Sequence, residues 1–425
     1  MSAADGVSHL TAQPLKRRLQ RWPSGTNGRG VEAPLRVLYI NHTGMVSGAE
    51  HSLFELLRGL PDSVTASALC PSGPAALTLR DLGLPVYDMA PVNLGFRLRI
   101  AHTPVMMTRL FRQSRHLAAI IRRTRPHLVH ANSTRAGLLC LVPTSTPNVP
   151  VLVHIRDCLP ASPSGRLLGR LLSARADIII CNSAYVASAF EPNGSGAQVH
   201  VVHNPVDLAR FNPALYDHMR SRRGLGLAKG DLVVALVAQI TPWKAQADAI
   251  SMTASLRQRW PNLRLLLVGE PKFVGPTTRY DNQAYAVSLR QSVETLGLEG
   301  SVLFLGERSD IPTILSAADL LIVPSWEEPF GRTVIEAMAM AVPVVATSVG
   351  GPPEIIEDSV DGVLLPPKRP EVWAEVVADL LADPRRRADL GRRGREKALA
   401  RFSREQHVAA MLEIYRQALG LDPDK

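Results

Sequence analysis

From residue 35 onward the chain repeats one pattern: a short, unbroken apolar run rich in β-branched residues, then a longer segment with helical spacing of its apolar positions. LRVLYI (35–40), VTASALC (64–70), HLVHAN (127–132), VLVH (151–154), DIIICNS (177–183) and VHVVHN (199–204) form a first series. Their length and continuous apolarity suit strands covered on both faces, which implies a parallel sheet with helices between its strands. LVVALVA (232–238), LRLLLVG (263–269), VLFLG (302–306), LLIVPS (320–325), VPVVATS (342–348) and GVLLPP (362–367) form a second series. Residues 204–231 between them are polar and turn-rich, as a domain linker is. The expected fold class is α/β, with two doubly wound domains in tandem. Such sheets bind ligands beyond the carboxyl ends of their strands, so the cleft between the domains is the expected site. The expected boundaries are a flexible tail over 1–33, an N-terminal domain over 34–206 and a C-terminal domain over 207–400. A last helix within 401–425 is expected to cross back to the N-terminal domain.

Composition narrows the class. The 425 residues are 46% hydrophobic and 20% charged, enough for large cores. No apolar run approaches the roughly 18–20 residues of a membrane span, and the first residues lack the apolar block of a secretory signal. A cytoplasmic protein is therefore expected. Cys70, Cys140, Cys158 and Cys181 are scattered without ligand spacing and read as reduced thiols. Charge divides unevenly: 22 Lys and Arg against 11 Asp and Glu up to residue 213, then 26 against 27. Met89 to Arg156 carries no acidic residue but ten arginines: Arg97, Arg99, Arg109, Arg112, Arg115, Arg122, Arg123, Arg125, Arg135 and Arg156. An anionic membrane surface is one candidate partner for this stretch, and a plain solvated helix face is the other reading. Nucleic acid is not expected, because no aromatic interleaving or known module accompanies the charge.

The chemistry concentrates in SWEEPFGRTVIEAMAMAVPVVATSVGG. A strand ends, a loop follows, and Phe330 to Thr333 stand at a helix start, where free N–H groups and the helix dipole favour a phosphate. Pro329 and Gly331 suit a tight turn that brings backbone close to a ligand. Glu336 falls among Val334, Ile335, Ala337 and Ala339, where a carboxylate is costly unless hydrogen-bonded, and ligand hydroxyls would supply those bonds. The alternative is that Glu328 and Glu336 only complement the helix dipole. In NHTGMVSGAE, Ser47 and Glu50 have capping-box spacing, and Gly48 permits close approach of backbone to a ligand. A plain helix cap is the other reading there.

E-x7-E within EPFGRTVIEAMA, followed by PVVAT and GGPPEII, resembles the signature of the retaining nucleotide-sugar glycosyltransferases of family four, which have the GT-B fold. SGAEHSLFELL, HLVHANS, VLVHIRD, DIIICNS, HNPVDLARF, QITPWK, LGERSDIP and FSREQHVAAMLEIY extend the likeness, in order, across most of residues 35–420. The resemblance implies two Rossmann-like domains, an acceptor-side N-terminal one and a nucleotide-sugar-binding C-terminal one. It implies a UDP- or GDP-type sugar donor, a lipid-linked, glycan or small-alcohol acceptor, no cofactor and no metal. Glu336 is expected to hold the ribose hydroxyls and Glu328 to meet the donor sugar. The backbone of Phe330, Gly331 and Arg332 is expected at the sugar and diphosphate, and Lys244 to offset charge on the leaving diphosphate. No D-x-D pair stands where it could hold a divalent ion between donor phosphates.

The chain departs from the family at three points. Gln239 replaces a common arginine, so one cation of the diphosphate clamp is absent, with Arg332 or Arg156 as candidate substitutes. Ser47 replaces the first of two adjacent glycines. Arg156 stands where the family usually has a histidine approaching the sugar, while His154 lies two residues earlier on the same strand face. Either can serve the site, or Arg156 can pair with Asp157 and only shape the loop. The remaining histidines, His130 and His203 among them, read as structural. The competing functions are a nucleotide-sugar epimerase or hydrolase using paired carboxylates, and a membrane-associated binding protein with weakened catalysis.

Overall fold

The twelve apolar runs and one short edge form thirteen strands in a computed structural model that describes residues 34–92, 103–142, 146, 148–190, 196–272 and 279–421. The expected tail over 1–33, and Arg97 and Arg99 of the basic stretch, lie outside the described residues. The strands are β1 (Leu35–Ile40), β2 (Val64–Cys70), β3 (Val86–Asp88), β4 (Leu128–Ala131), β5 (Val151–Ile155), β6 (Ile178–Cys181), β7 (Gln198–Val201), β8 (Leu232–Val237), β9 (Leu263–Val268), β10 (Val302–Gly306), β11 (Leu320–Val323), β12 (Val344–Thr347) and β13 (Val363–Leu365). The first seven make one sheet in the order β3-β2-β1-β4-β5-β6-β7, and the other six a second in the order β10-β9-β8-β11-β12-β13. All pairings are parallel, in register over Leu35↔Val64 to Ile40↔Leu69 at β1–β2 and Leu232↔Leu263 to Val237↔Val268 at β8–β9.

Each sheet is covered on both faces. Leu117, Ile121, Leu172 and Phe190 pack on one face of the first sheet, while Leu53, Phe54, Leu79 and the last helix, Arg404–Ala418, pack on the other. That last helix buries Val408, Met411, Ile414 and Tyr415 against the first sheet, although the residues just before it belong to the second domain. Where the chain crosses, Val206 N–H bonds Phe402 O at 2.9 Å.

Two differences from the sequence reading are short edges. β3 has only three residues, too few for a periodic signal. The 199–204 run ends as a strand at Val201, at the sheet edge, and His203 and Asn204 continue into the crossing between domains.

The winding direction reverses between β1 and β4, and again between β8 and β11. Loops after those four strands must diverge, and the crevices they leave are where such folds place ligands. They hold the segments that contain Gly48, Asn132, Lys244 and Glu328.

Candidate functional site

The loop after β11 is shaped by glycines. Gly350 has φ +105°, and a Cβ there would lie 2.0 Å from Glu328 O, so only glycine lets the loop after β12 lie flush on the Glu328 loop. Gly351 N–H then bonds Glu328 O at 2.8 Å. Gly331, at φ 103°, ends the loop and caps the helix Arg332–Ala339. The first N–H groups of that helix have no partner within it. Phe330 turns its ring inward against His203 and Phe402, leaving its backbone to the loop.

Both signature glutamates are buried and paired with cations. Glu328 Oε2 accepts from Lys244 Nζ at 2.5 Å and from Ser325 Oγ at 2.9 Å. Glu336 Oε1 accepts from Arg332 Nη2 at 2.9 Å. Neither carboxylate lies in the first turn of the helix, so the dipole reading does not describe them. Lys244 ends a 3-10 turn over Pro242–Lys244, and its ammonium also sits 4.1 Å from the Trp243 ring centroid. Gln239 is half-buried at the end of β8, and its backbone carbonyl accepts from Gln246 Nε2 at 2.9 Å.

The first domain brings its own helix start to the same place. Helix Gly48–Arg58 begins after Ser47, which is extended (φ −138°) and so needs no glycine. Glu50 Oε2 accepts from Ser47 N–H at 2.9 Å and from Ser47 Oγ at 2.5 Å. Arg332 spans the cleft: its Nη1 donates to Gly48 O at 3.2 Å and to Ser52 Oγ at 2.9 Å. Lys272 makes a second crossing, from its pair with Glu307 to Val46 O at 3.2 Å.

His154 and Arg156 lie on the floor of the first domain. Of the two readings of Arg156, the ion pair with Asp157 does not form. Arg156 instead donates through Nε to Asn132 Oδ1 at 3.2 Å, through Nη1 to Asn204 Oδ1 at 2.5 Å and through Nη2 to His154 Nδ1 at 3.2 Å. Asp157 is exposed, whereas Arg156 is buried among these neutral acceptors. Burial, then the charge of Arg332, lowers the guanidinium to about 9. Burial, then the charge of Arg156, holds His154 well below the usual histidine range. His154 is fully buried, stacks on His130 at 5.5 Å and turns its Nδ1 to Arg156.

Other contacts were not singled out from the sequence. Glu354 accepts from the backbone N–H groups of Ala184 and Tyr185 at 2.8 and 2.9 Å, and pairs with His203 Nε2 at 3.0 Å. Tyr185 Oη donates to Glu327 at 2.7 Å, and Ser183 Oγ to Pro329 O at 2.6 Å. These polar contacts tie the first domain to the loop that holds Glu328. Glu354 belongs to GGPPEII and Ser183 to DIIICNS, so both stood in quoted segments without an assigned role.

Residues 217–397 match the family described as Glycosyl transferases group 1, and residues 46–210 match Glycosyltransferase Family 4. The chain is 37% identical over 270 residues to a D-inositol 3-phosphate glycosyltransferase of Salinispora arenicola, covering 60% of this chain and 58% of that protein. It is 33% identical over 316 residues to the protein of the same name from Segniliparus rotundus, covering 69% of this chain and 67% of that one. Anabaena HepE, solved with UDP and glucose, superposes with a TM-score of 0.76 at 26% identity, covering 90% of this chain and 99% of that one. Sucrose-phosphate synthase from Thermosynechococcus elongatus shares the fold, with a TM-score of 0.75 at 21% identity over 91% of this chain and all of that one.

Proposed function

Because this chain belongs to the group 1, family 4 glycosyltransferases and has their GT-B architecture, we propose that it moves a sugar from a nucleoside-diphosphate sugar to an acceptor hydroxyl, with retention of configuration. The observation that carries the reading is the pair of ion pairs in the cleft, Lys244–Glu328 and Arg332–Glu336. Each pair holds one group suited to a diphosphate and one suited to sugar hydroxyls. A donor would exchange with them: hydroxyls take the carboxylates, and phosphate oxygens take the ammonium and guanidinium. Buried pairs contribute little stability on their own, which suits a site built to trade them. UDP and glucose in the HepE structure support a donor of that type.

Departure of a nucleoside diphosphate from an anomeric carbon leaves growing negative charge on phosphate. Lys244 and the N–H groups at the start of helix Arg332–Ala339 would stabilise it, and a cleft closed on the donor would exclude water. Those groups supply the positive charge, so we take the reaction to be independent of a divalent ion. Arg332 fills the part of the clamp that Gln239 cannot.

The basic helix Thr103–Thr124 gives the first domain a charged outer face: Arg109, Arg112, Arg115, Arg122 and Arg123 are exposed, beside exposed Phe111. We read it as a docking face for anionic lipid, which would bring the enzyme to a membrane-borne acceptor. No helix among the described residues is long and apolar enough to cross a membrane. Sedimentation with anionic vesicles but not neutral ones is expected, and equal partition removes this part of the reading.

The function itself is tested by incubating the protein with a panel of nucleotide sugars and acceptors in EDTA. Release of nucleoside diphosphate with a new glycoside, its anomeric configuration kept by NMR, is expected. An isomerised donor, free sugar alone, or a requirement for added magnesium or manganese counts against it.

A further inference from the structure

Arg156 differs from the other cations of the cleft. Lys244, Lys272 and Arg332 each have a carboxylate at ion-pair distance. Among the described residues Arg156 has none, and its three partners, Asn132, Asn204 and His154, are neutral. Two amides cannot ionise near neutral pH. His154 accepts at Nδ1, so its proton sits on Nε2, and burial keeps both it and stacked His130 uncharged. Glu50 and Asp157 act on the guanidinium only through space.

The frame around it is built with care for a group buried at 7% exposure. His130 Nδ1 lies 2.7 Å from Tyr415 Oη, which lies 3.1 Å from Tyr39 Oη. This fully buried hydrogen-bonded chain joins β1, β4 and the last helix; from His130 it reaches His154 on β5 only by ring stacking, and His154 in turn meets Arg156. A guanidinium has five N–H groups, and three are used here, which leaves one on each terminal nitrogen. Two such donors in one plane match the two oxygens of a phosphate or carboxylate. Removing a cation from water without a counter-charge is costly, so the cage holds a charge whose partner arrives with a ligand. Arg156 follows the carboxyl end of β5 and its partner Asn132 that of β4, which puts this guanidinium on the cleft side of the sheet.

We propose that Arg156 is an anion-recognition residue of the cleft that takes an oxyanion of a substrate, a phosphate or a carboxylate, on its two remaining N–H groups. The inference deepens the glycosyltransferase reading and rests on it for what the substrate is. Two sources carry this chemistry: the diphosphate of the donor, or an acid group on the acceptor.

Titration calorimetry separates them, with UDP added to the free protein and inorganic phosphate added to free and to UDP-saturated protein. Wild type, Arg156→Gln and Arg156→Lys are compared after thermal melts show that each is folded. Arg156→Gln is expected to weaken one ligand by about tenfold or more. Arg156→Lys, which keeps the charge but lacks the planar fork, is expected to weaken it less, and it carries the test if the Gln variant does not fold. Weaker UDP binding identifies the donor diphosphate, and weaker phosphate binding with UDP unchanged identifies an acidic acceptor. Wild-type affinity for both ligands in the folded variants overturns the proposal, as does a wild type that binds neither. A wild type that binds phosphate but not UDP overturns the donor reading alone, and the Arg156 comparison still stands on phosphate.

Discussion

At the scale of single residues, Lys244 and Glu336 are expected to act at different moments. Lys244 meets a phosphate whose negative charge grows as the bond breaks, so Lys244→Ala should lower kcat by about 10²–10³-fold with a smaller rise in donor KM. Glu336 meets ribose hydroxyls that are present before and during reaction, so Glu336→Ala should chiefly weaken UDP binding, by about tenfold. Steady-state kinetics and calorimetry on the two variants check the split, and near-native values for both would show that the residues were wrongly placed. Glu336 could be singled out in the sequence because a carboxylate among small apolar neighbours at a helix start is chemically conspicuous, and Glu328 by its spacing from it. The cage of Arg156 could not. Asn132 and Asn204 lie on segments separate from His154 and Arg156 and converge with them only when the sheet forms, whereas Asp157 is adjacent in the chain and offers the pairing most easily read there. In the fold, Arg156 turns inward to the amides and Asp157 outward to water.

At the scale of elements, the turn that presents Lys244 is held in an unfavourable backbone state. Ala245, fully buried, sits at φ 58° and ψ 37° between the Pro242–Lys244 turn and the helix Gln246–Leu256. An L side chain in this left-handed region costs roughly 1 kcal/mol, and glycine does not bear that cost. Ala245→Gly should therefore raise stability by up to about 1 kcal/mol in denaturant melts, less whatever the lost methyl contributed. A clear fall in stability would show that packing of the methyl outweighs the strain. Strand elements with long apolar runs were legible because burial on both faces leaves an unbroken signature. β3 was not, since three residues at an edge, paired only with β2, carry no period.

At the scale of the whole molecule, the two-sheet organisation was readable from two series of apolar runs separated by a polar segment, while the contacts joining the domains were not. Those contacts are single polar groups, such as Glu354 with His203 and the 184–185 backbone, and no periodicity marks them. The buried histidines make a property of the whole fold. Burial, reinforced by arginine charges, holds His42, His51, His130 and His407 at about 3. Their folded values lie below the ordinary value near 6.5, so the unfolded chain binds more protons in acid. The stability they contribute is fully present above about pH 6.5 and is lost as pH falls toward 3, with a slope of at most about 1.4 kcal/mol per pH unit for each group. Glu354, raised by burial but lowered further by its bonds to His203, Ala184 and Tyr185, adds a loss at more acid pH. Melting temperature should fall steadily from pH 6.5 to 5, and a flat profile there would mean that these histidines are charged or solvated in the fold. The central claim is that the cleft between the sheets receives a nucleoside diphosphate, and a crystal structure of the protein with UDP tests it most directly. The ribose hydroxyls should lie on Glu336 and the diphosphate against the N–H groups of Arg332 and Thr333 within reach of Lys244; UDP bound elsewhere, with the Lys244–Glu328 and Arg332–Glu336 pairs intact, would contradict it.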